Sequence, residues 1–223
     1  MPINVAVITF PGTNCEYDTV KALERIGYSA ELVWHDVVEL NAYDALILPG
    51  GFSYGDYLRP GAIARFSPVM QAVEEFARSG GPVLGICNGF QLLTEAHLLP
   101  GALQKNVSLK FICRSVEVKV DTVRSSLTSL ASKGQVLSLP INHFEGNYTC
   151  GDATLKILEE DERVLLRYVD NPNGSVHSIA GICNEEGNIA GMMPHPERAS
   201  DELLGSTDGI LLFRSLCDGK FSR

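Results

Sequence analysis

Short apolar runs that stop at glycine or proline alternate with helix-spaced segments through the first hundred residues. No other feature restricts the possible folds as much. Residues 3–10, Ile-Asn-Val-Ala-Val-Ile-Thr-Phe, read as a strand bounded by Pro11-Gly12. Asn14 is placed to cap a helix running to about Gly27, with Tyr17, Val20, Leu23 and Ile26 on one face. Residues 30–34 form a second strand and 44–48 a buried third that ends at Pro49-Gly50-Gly51. Val69, Val73 and Phe76 give 68–79 helical spacing, and Gly80-Gly81-Pro82 ends it. Residues 83–86 are again a short buried strand, with a helix from about Asn88 to His97. Such alternation predicts a parallel sheet covered on both faces. Ligand sites on such sheets lie at the carboxyl ends of the strands, which singles out the loops at 49–56 and 85–89.

The second half is less regular. Val116, Val118 and Val120 alternate with Glu117, Lys119 and Asp121, the pattern of a half-solvated strand. Residues 135–141, 163–169, 178–184 and 189–193 are further strands, the last two joined by a turn at Glu185-Glu186-Gly187-Asn188. A helix carrying Ile210, Phe213 and Leu216 closes the chain. No repeat or linker interrupts it, so residues 1–223 read as a single domain, an ordinary length for one core.

Composition removes several classes of function. The formal net charge of −9 argues against binding nucleic acid and against a polybasic membrane anchor. No apolar stretch approaches a membrane span, and Met1-Pro2-Ile3-Asn4 does not resemble the start of a signal peptide. Six cysteines, none in a Cys-x-x-Cys pair, suit free thiols in a cytoplasmic protein better than a disulfide framework or a metal site. Most of them read as small buried hydrophobes.

Cys87 is the exception. Gly85-Ile86-Cys87-Asn88-Gly89 joins a strand to a helix in the form Gly-x-nucleophile-x-Gly. A turn this sharp leaves no room for Cβ atoms two residues to either side, and it lifts the central side chain out of the sheet. The sulfur then sits at a helix N-terminus, where the dipole favours negative charge. The Asn88 N–H faces the space where an oxyanion would form. A structural cysteine in a glycine-rich turn would fit the same five residues.

A thiol nucleophile needs a base. His35 and His97 read as ordinary surface or satisfied residues, and His177 has no obvious partner. His195 lies in Met193-Pro194-His195-Pro196-Glu197, where two prolines hold the chain extended. Extended backbone points residues i and i+2 the same way, so Glu197 is placed to fix the His195 tautomer. A proline-rich turn with a solvated glutamate is the plainer alternative, and His143 with Glu145 is a rival pair at the same spacing. Pro49-Gly50-Gly51-Phe52-Ser53-Tyr54-Gly55-Asp56 matches no phosphate-binding fingerprint, and nothing else in the chain does. Its paired glycines allow close backbone approach, and the Gly51 N–H is a natural second oxyanion donor.

Together these elements resemble the class I, triad-type glutamine amidotransferases. Gly85 through Gln91 is similar to that family's nucleophile signature, Pro194-His195-Pro196-Glu197 to its His/Glu signature, and Pro49-Gly50-Gly51 to its oxyanion strand. The run 49–59, Lys110 through Arg114, Asn171 through Ser175 and Gly191-Met192-Met193 are similar to segments of one member of that family, which the chain resembles over essentially its whole length. It implies an α/β, flavodoxin-like, doubly wound and mostly parallel sheet with an added antiparallel β segment. It also implies the roles. Cys87 attacks the side-chain amide of glutamine. His195 moves the proton and Glu197 orients it. The Gly51 and Asn88 N–H groups hold the oxyanion, and Gly50, Phe52 and Gln91 line the glutamine pocket. The thioester is hydrolysed to glutamate. Ammonia passes to a large synthetase subunit that uses ATP and Mg in purine biosynthesis, with a small bridging subunit alongside and no cofactor in this chain. One segment departs from the family pattern Ala-His-Gly-Glu-Gly: here it is Asn142-His143-Phe144-Glu145-Gly146, with a bulky ring in place of a glycine. Two other readings stand beside this one, another elbow-cysteine hydrolase of the same fold and a non-catalytic subunit that only binds a synthetase.

Overall fold

The computed structural model describes residues 3–219. Residues 1–2 and 220–223 of the expected domain, including Met1-Pro2 of the N-terminal reading, lie outside the described residues.

Chain order is β1 (Asn4–Thr9), α1 (Glu16–Arg25), β2 (Ser29–Trp34), β3 (Ala45–Leu48), α2 (Pro68–Arg78), β4 (Val83–Ile86) and α3 (Asn88–Glu95). Then follow β5 (Ala102–Gln104), β6 (Ile112–Val120), β7 (Val136–His143), β8 (Asn147–Thr149), α4 (Asp152–Glu160) and β9 (Val164–Tyr168). The chain closes with β10 (Ile179–Cys183), β11 (Ile189–Met192) and α5 (Gly209–Asp218). One nine-stranded sheet runs β2-β1-β3-β4-β11-β10-β9-β6-β7, and β5 and β8 form a small sheet of their own.

The first five strands of that order are mutually parallel, the doubly wound 2-1-3-4-5 arrangement with β11 as its fifth strand. The apolar runs of β3, β4 and β11 are unbroken because both faces are covered, each strand being buried at every residue, whereas the edge strand β2 is largely exposed. Val69, Val73 and Phe76 of α2 and Leu212, Phe213 and Leu216 of α5 join the same core. Burial of such side chains supplies about 1.5–3 kcal/mol each. From β11 onward the sheet is antiparallel, through β10, β9, β6 and β7. The turn between β10 and β11 is held by Asn184, whose side chain accepts from the Gly187 N–H at 3.0 Å.

The structure departs from the sequence reading in three places. Strand β6 begins four residues before the Val116 alternation, because its first four residues are not buried and carry no burial pattern. Helix α1 starts later than Asn14 would have it, with Cys15 at the N-cap and no side-chain cap. The cause is the antiparallel bridge between Thr13 and Gly51, which keeps the chain running along the 50s loop. The Asn14 oxygen accepts from the Cys15 thiol at 3.3 Å instead. Third, α4 and the β5–β8 pair were not anticipated. Helix α4 buries only Leu155 and Leu158, too little to give a clear period.

Candidate active site

Four strand ends converge. The loops after β1, β3, β4 and β11 carry Cys15, Gly50–Asp56, Cys87 and His195, all at the carboxyl edge of the parallel strands. Strands β4 and β11 are neighbours with Ile86 opposite Met192, and the Cys87 N–H donates to the Met192 carbonyl at 2.8 Å. This backbone bond extends the β4–β11 ladder into the nucleophile turn and ties it to the histidine segment.

The elbow forms as the glycine spacing requires. Cys87 has φ +50° and ψ −102°, a strained conformation for a residue with a side chain. A Cβ on Gly85 would lie 2.6 Å from the Gly89 carbonyl oxygen, and one on Gly89 would lie 1.9 Å from that of Leu48. Helix α3 begins directly after Cys87, and its first intrahelical bond runs from the Gln91 N–H to the Cys87 carbonyl at 3.1 Å. The N–H groups of Asn88, Gly89 and Phe90 are therefore the ones a helix start leaves without intrahelical acceptors.

His195 and Glu197 meet as the sequence requires, but by another route. His195 Nδ1 lies 2.5 Å from Glu197 Oε1, with both side chains buried. The segment is not extended throughout: Pro196–Arg198 is a 3₁₀ turn, entered at a proline whose fixed φ suits the first helical position. The turn is clamped by the His195 N–H to the Pro140 carbonyl, by the Ser200 hydroxyl to the Glu197 carbonyl and by Gly209, where a Cβ would fall 2.0 Å from the Pro196 carbonyl. Burial alone lowers the affinity of His195 for a proton. Glu197 and the Cys87 sulfur outweigh that burial and raise its pKa well above the ordinary histidine value. His195 Nε2 has no hydrogen-bond partner among the described residues, which leaves it for the reacting groups.

A cavity of about 280 Å³ opens on Cys87 and is lined by Gly51, Phe52 and Gln91. Gly51 has φ +145°, and a Cβ there would fall 2.7 Å from the Asn14 amide nitrogen. The loop is fixed from both sides: the Phe52 N–H donates to the Gly12 carbonyl, and the Ser53 N–H to Asn88 Oδ1 at 3.1 Å. Asn88 thus holds the 50s loop through its side chain. Gln91 donates to the Glu145 carbonyl and accepts from Asn88 Nδ2, so much of its amide is spent on holding the wall. Gly50 does not line the cavity, contrary to its expected place in the glutamine pocket. Its Cα backs the His195 ring, where a Cβ would lie 2.7 Å from Cε1 and 3.2 Å from Cys15 Sγ.

Sequence reasoning missed several neighbours. Cys15 read as a plain buried hydrophobe, yet its sulfur lies within 4.8 Å of ligand atoms on His195 and Glu197 and accepts from Arg198 Nη2 at 3.3 Å. The Arg198 guanidinium lies beside the sulfur, and His195 Nδ1 is committed to Glu197. Asp56 and Glu145 line the cavity with Cys87, and Arg59, also in its wall, is paired with Glu95 at 2.5 Å. The 49–59 run held the only local signal for Asp56 and Arg59. The rival pair does not form a dyad: His143 Nδ1 lies 3.1 Å from Asn106 Oδ1. Phe144 lines the cavity as well, and its ring faces the Lys105 ammonium at 5.9 Å. His177, expected to be without a partner, pairs with Glu159 of α4 at 2.8 Å. His35 is satisfied by the Tyr54 hydroxyl at 3.1 Å.

A thiol on a strained elbow, an imidazole fixed by a buried carboxylate and free helix-start amides can attack a carbonyl, shuttle the proton and hold the oxyanion. On a 2-1-3-4-5 sheet this set defines the elbow-thiol class of acyl-transfer enzymes, to which the triad-type glutamine amidotransferases belong. The comparisons narrow the class: residues 2–208 match the CobB/CobQ-like glutamine amidotransferase domain, and the chain belongs to that family. The phosphoribosylformylglycinamidine synthase subunit PurQ of Rubrobacter xylanophilus is 56% identical over 217 residues, 97% of this chain and 99% of the relative. A chain in the structure of PurLQS from Thermotoga maritima superposes with a TM-score of 0.90 at 44% identity, covering 97% of this chain and 98% of that one. A further glutamine amidotransferase from Thermotoga maritima, 16% identical, shares the fold with a TM-score of 0.57 over 88% and 77% of the two chains.

Proposed function

We propose that this chain is the glutaminase subunit of phosphoribosylformylglycinamidine synthase. The observation that carries the reading is the convergence of Cys87, His195 and Glu197 at adjacent strand ends, in a chain 56% identical to a PurQ subunit. His195 Nε2 takes the thiol proton and the Cys87 sulfur adds to the glutamine carboxamide carbon. The Gly51 and Asn88 N–H groups bind the resulting oxyanion. The C–N bond then breaks as His195 returns its proton to the nitrogen, which leaves as ammonia. Water, deprotonated by His195, cleaves the thioester to glutamate and restores the thiol. Glu197 keeps the ring in the correct tautomer and stabilises the imidazolium. Phe52 and Gln91 border the space for the glutamine chain.

Ammonia passes to a large synthetase subunit, which uses ATP and Mg to convert formylglycinamide ribonucleotide to the amidine, with a small bridging subunit in the complex. This chain needs no cofactor of its own. The reading places the protein in the cytoplasm. The six unpaired cysteines support it, and no helix among the described residues is long and apolar enough to cross a membrane.

The test is amidine formation by the reconstituted complex, supplied with either glutamine or ammonium salts. Wild type is expected to use both, and a complex carrying Cys87→Ala to use ammonium alone. Loss of both activities, or retention of glutamine use, contradicts the proposal.

A further inference from the structure

The structure gives His143 no part in the triad, yet it lines the same cavity as Cys87 and is only 3% exposed. Its tautomer follows from Asn106. That side chain donates from Nδ2 to the carbonyls of Lys110 at 2.9 Å and of His143 at 3.0 Å. Carbonyls only accept, so the orientation of the amide is fixed and Oδ1 faces the other way. There it accepts from the Gly146 N–H at 3.2 Å and meets His143 Nδ1 at 3.1 Å. Nδ1 must therefore carry the proton, and Nε2 presents a bare lone pair.

That lone pair is buried and has no partner among the described residues. The ring is held firmly, lying across Gly146 so closely that a Cβ there would fall 2.3 Å from Cε1. Burial, reinforced by the neighbouring His195, pushes the imidazole down to about 4, so it stays neutral through the physiological range. A buried acceptor without a donor is costly and calls for an explanation. The chemistry of the cavity supplies one. A carboxamide brings two N–H groups to the carbon that Cys87 attacks, and the ammonia that leaves carries three.

We propose that His143 Nε2 accepts a hydrogen bond from the carboxamide nitrogen of the substrate and from the ammonia that nitrogen becomes. His143 thereby selects an amide over other acyl groups. Since Nε2 cannot donate while Nδ1 holds the proton, it cannot protonate the leaving group, and that step stays with His195. The inference rests on the glutaminase reading.

The test compares glutamine with the γ-methyl ester of glutamate, which has no N–H on its leaving group, in the assembled complex. His143→Leu is expected to lower kcat/KM for glutamine about tenfold and to leave ester hydrolysis within about twofold. His143→Gln, which can offer an oxygen near the same place, is expected to recover part of the loss. An equal fall on both substrates, or no fall on glutamine, overturns the inference. Should the leucine variant fail to fold, histidine nitrogen NMR on the Cys87→Ala complex decides. There the His143 Nε2 signal is expected to move on adding glutamine and to stay put with the ester, and a signal that responds to neither, or equally to both, overturns the inference. Glutamine turnover by wild type in the same assay tests the underlying reading separately.

Discussion

Asp56 ties the cavity to the stability of the fold. Its carboxyl is pushed up to about 6, first by burial and second by the Glu145 carboxylate, against the hydrogen bond from Asn88 Nδ2. An acid whose folded pKa is raised holds its proton more tightly when folded. Its contribution to stability therefore falls as pH rises from about 4 through about 6, and stays lost above that. A span of roughly two pH units corresponds to about 3 kcal/mol at 1.36 kcal/mol per unit. Asp56 is only half-buried, and solvent screening reduces this to about 1 kcal/mol. Asp56→Asn removes the charge and keeps an oxygen for Asn88. The variant is expected to exceed wild type by about 1 kcal/mol at pH 8, a rise of about 2–4 °C in Tm for a chain of this length, and to converge on it near pH 4. His143 titrates with the opposite sign. Its folded pKa is lowered to about 4 by burial and His195, so its share is present above about 6.5 and lost as pH falls through 4. Both proteins carry that slope, and it cancels in their difference. Urea titrations of the two proteins from pH 4 to 8 give the comparison. A difference flat with pH, or a variant less stable at pH 8, refutes the reasoning.

Three further outcomes follow from the geometry. Gly50→Ala places a methyl 2.7 Å from His195 Cε1; glutamine hydrolysis is expected to fall at least tenfold with the melting temperature within a few degrees, and full activity would contradict the packing role. Glu197→Gln removes a buried charged acceptor 2.5 Å from His195 Nδ1. At about 1.5–3 kcal/mol for such a bond, kcat/KM should drop by roughly 10- to 150-fold, as steady-state assays of glutamate release would show. Gly89→Ala forces a Cβ to 1.9 Å from the Leu48 carbonyl, where backbone lies on both sides. A loss of at least about 2 kcal/mol in urea unfolding is expected, and an unchanged midpoint would mean that the elbow has more room than its contacts suggest.

The placement of Cys87 and of His195 was legible in the sequence because each is flanked by residues with a steric reason to be there. Gly85 and Gly89 mark Cys87, and two prolines mark His195. The inner parallel strands were legible for a related reason, since burial on both faces writes an unbroken apolar run between glycine or proline stops. What escaped depends on contacts between distant segments. Cys15 meets Arg198 across 183 positions, and no local pattern announces that contact. The family resemblance put Gly50 in the glutamine pocket, whereas its Cα faces a ring that arrives from the segment after β11. His177 lacked a visible partner because Glu159 sits on α4, whose two buried leucines left the helix unrecognised. Glu197 reaches His195 through a 3₁₀ turn and not along an extended chain, so the expected pair forms by another path.

The central claim is that Cys87 is the nucleophile that takes up the glutamyl group. Its most direct test is acid-quenched peptide mass mapping of the complex during glutamine turnover, with Glu197→Gln included to slow the cycle. The account expects a glutamyl adduct on the peptide containing Cys87, absent from Cys87→Ala and from the peptide of Cys15. An adduct on Cys15, or glutamate release that persists in Cys87→Ala, would contradict it.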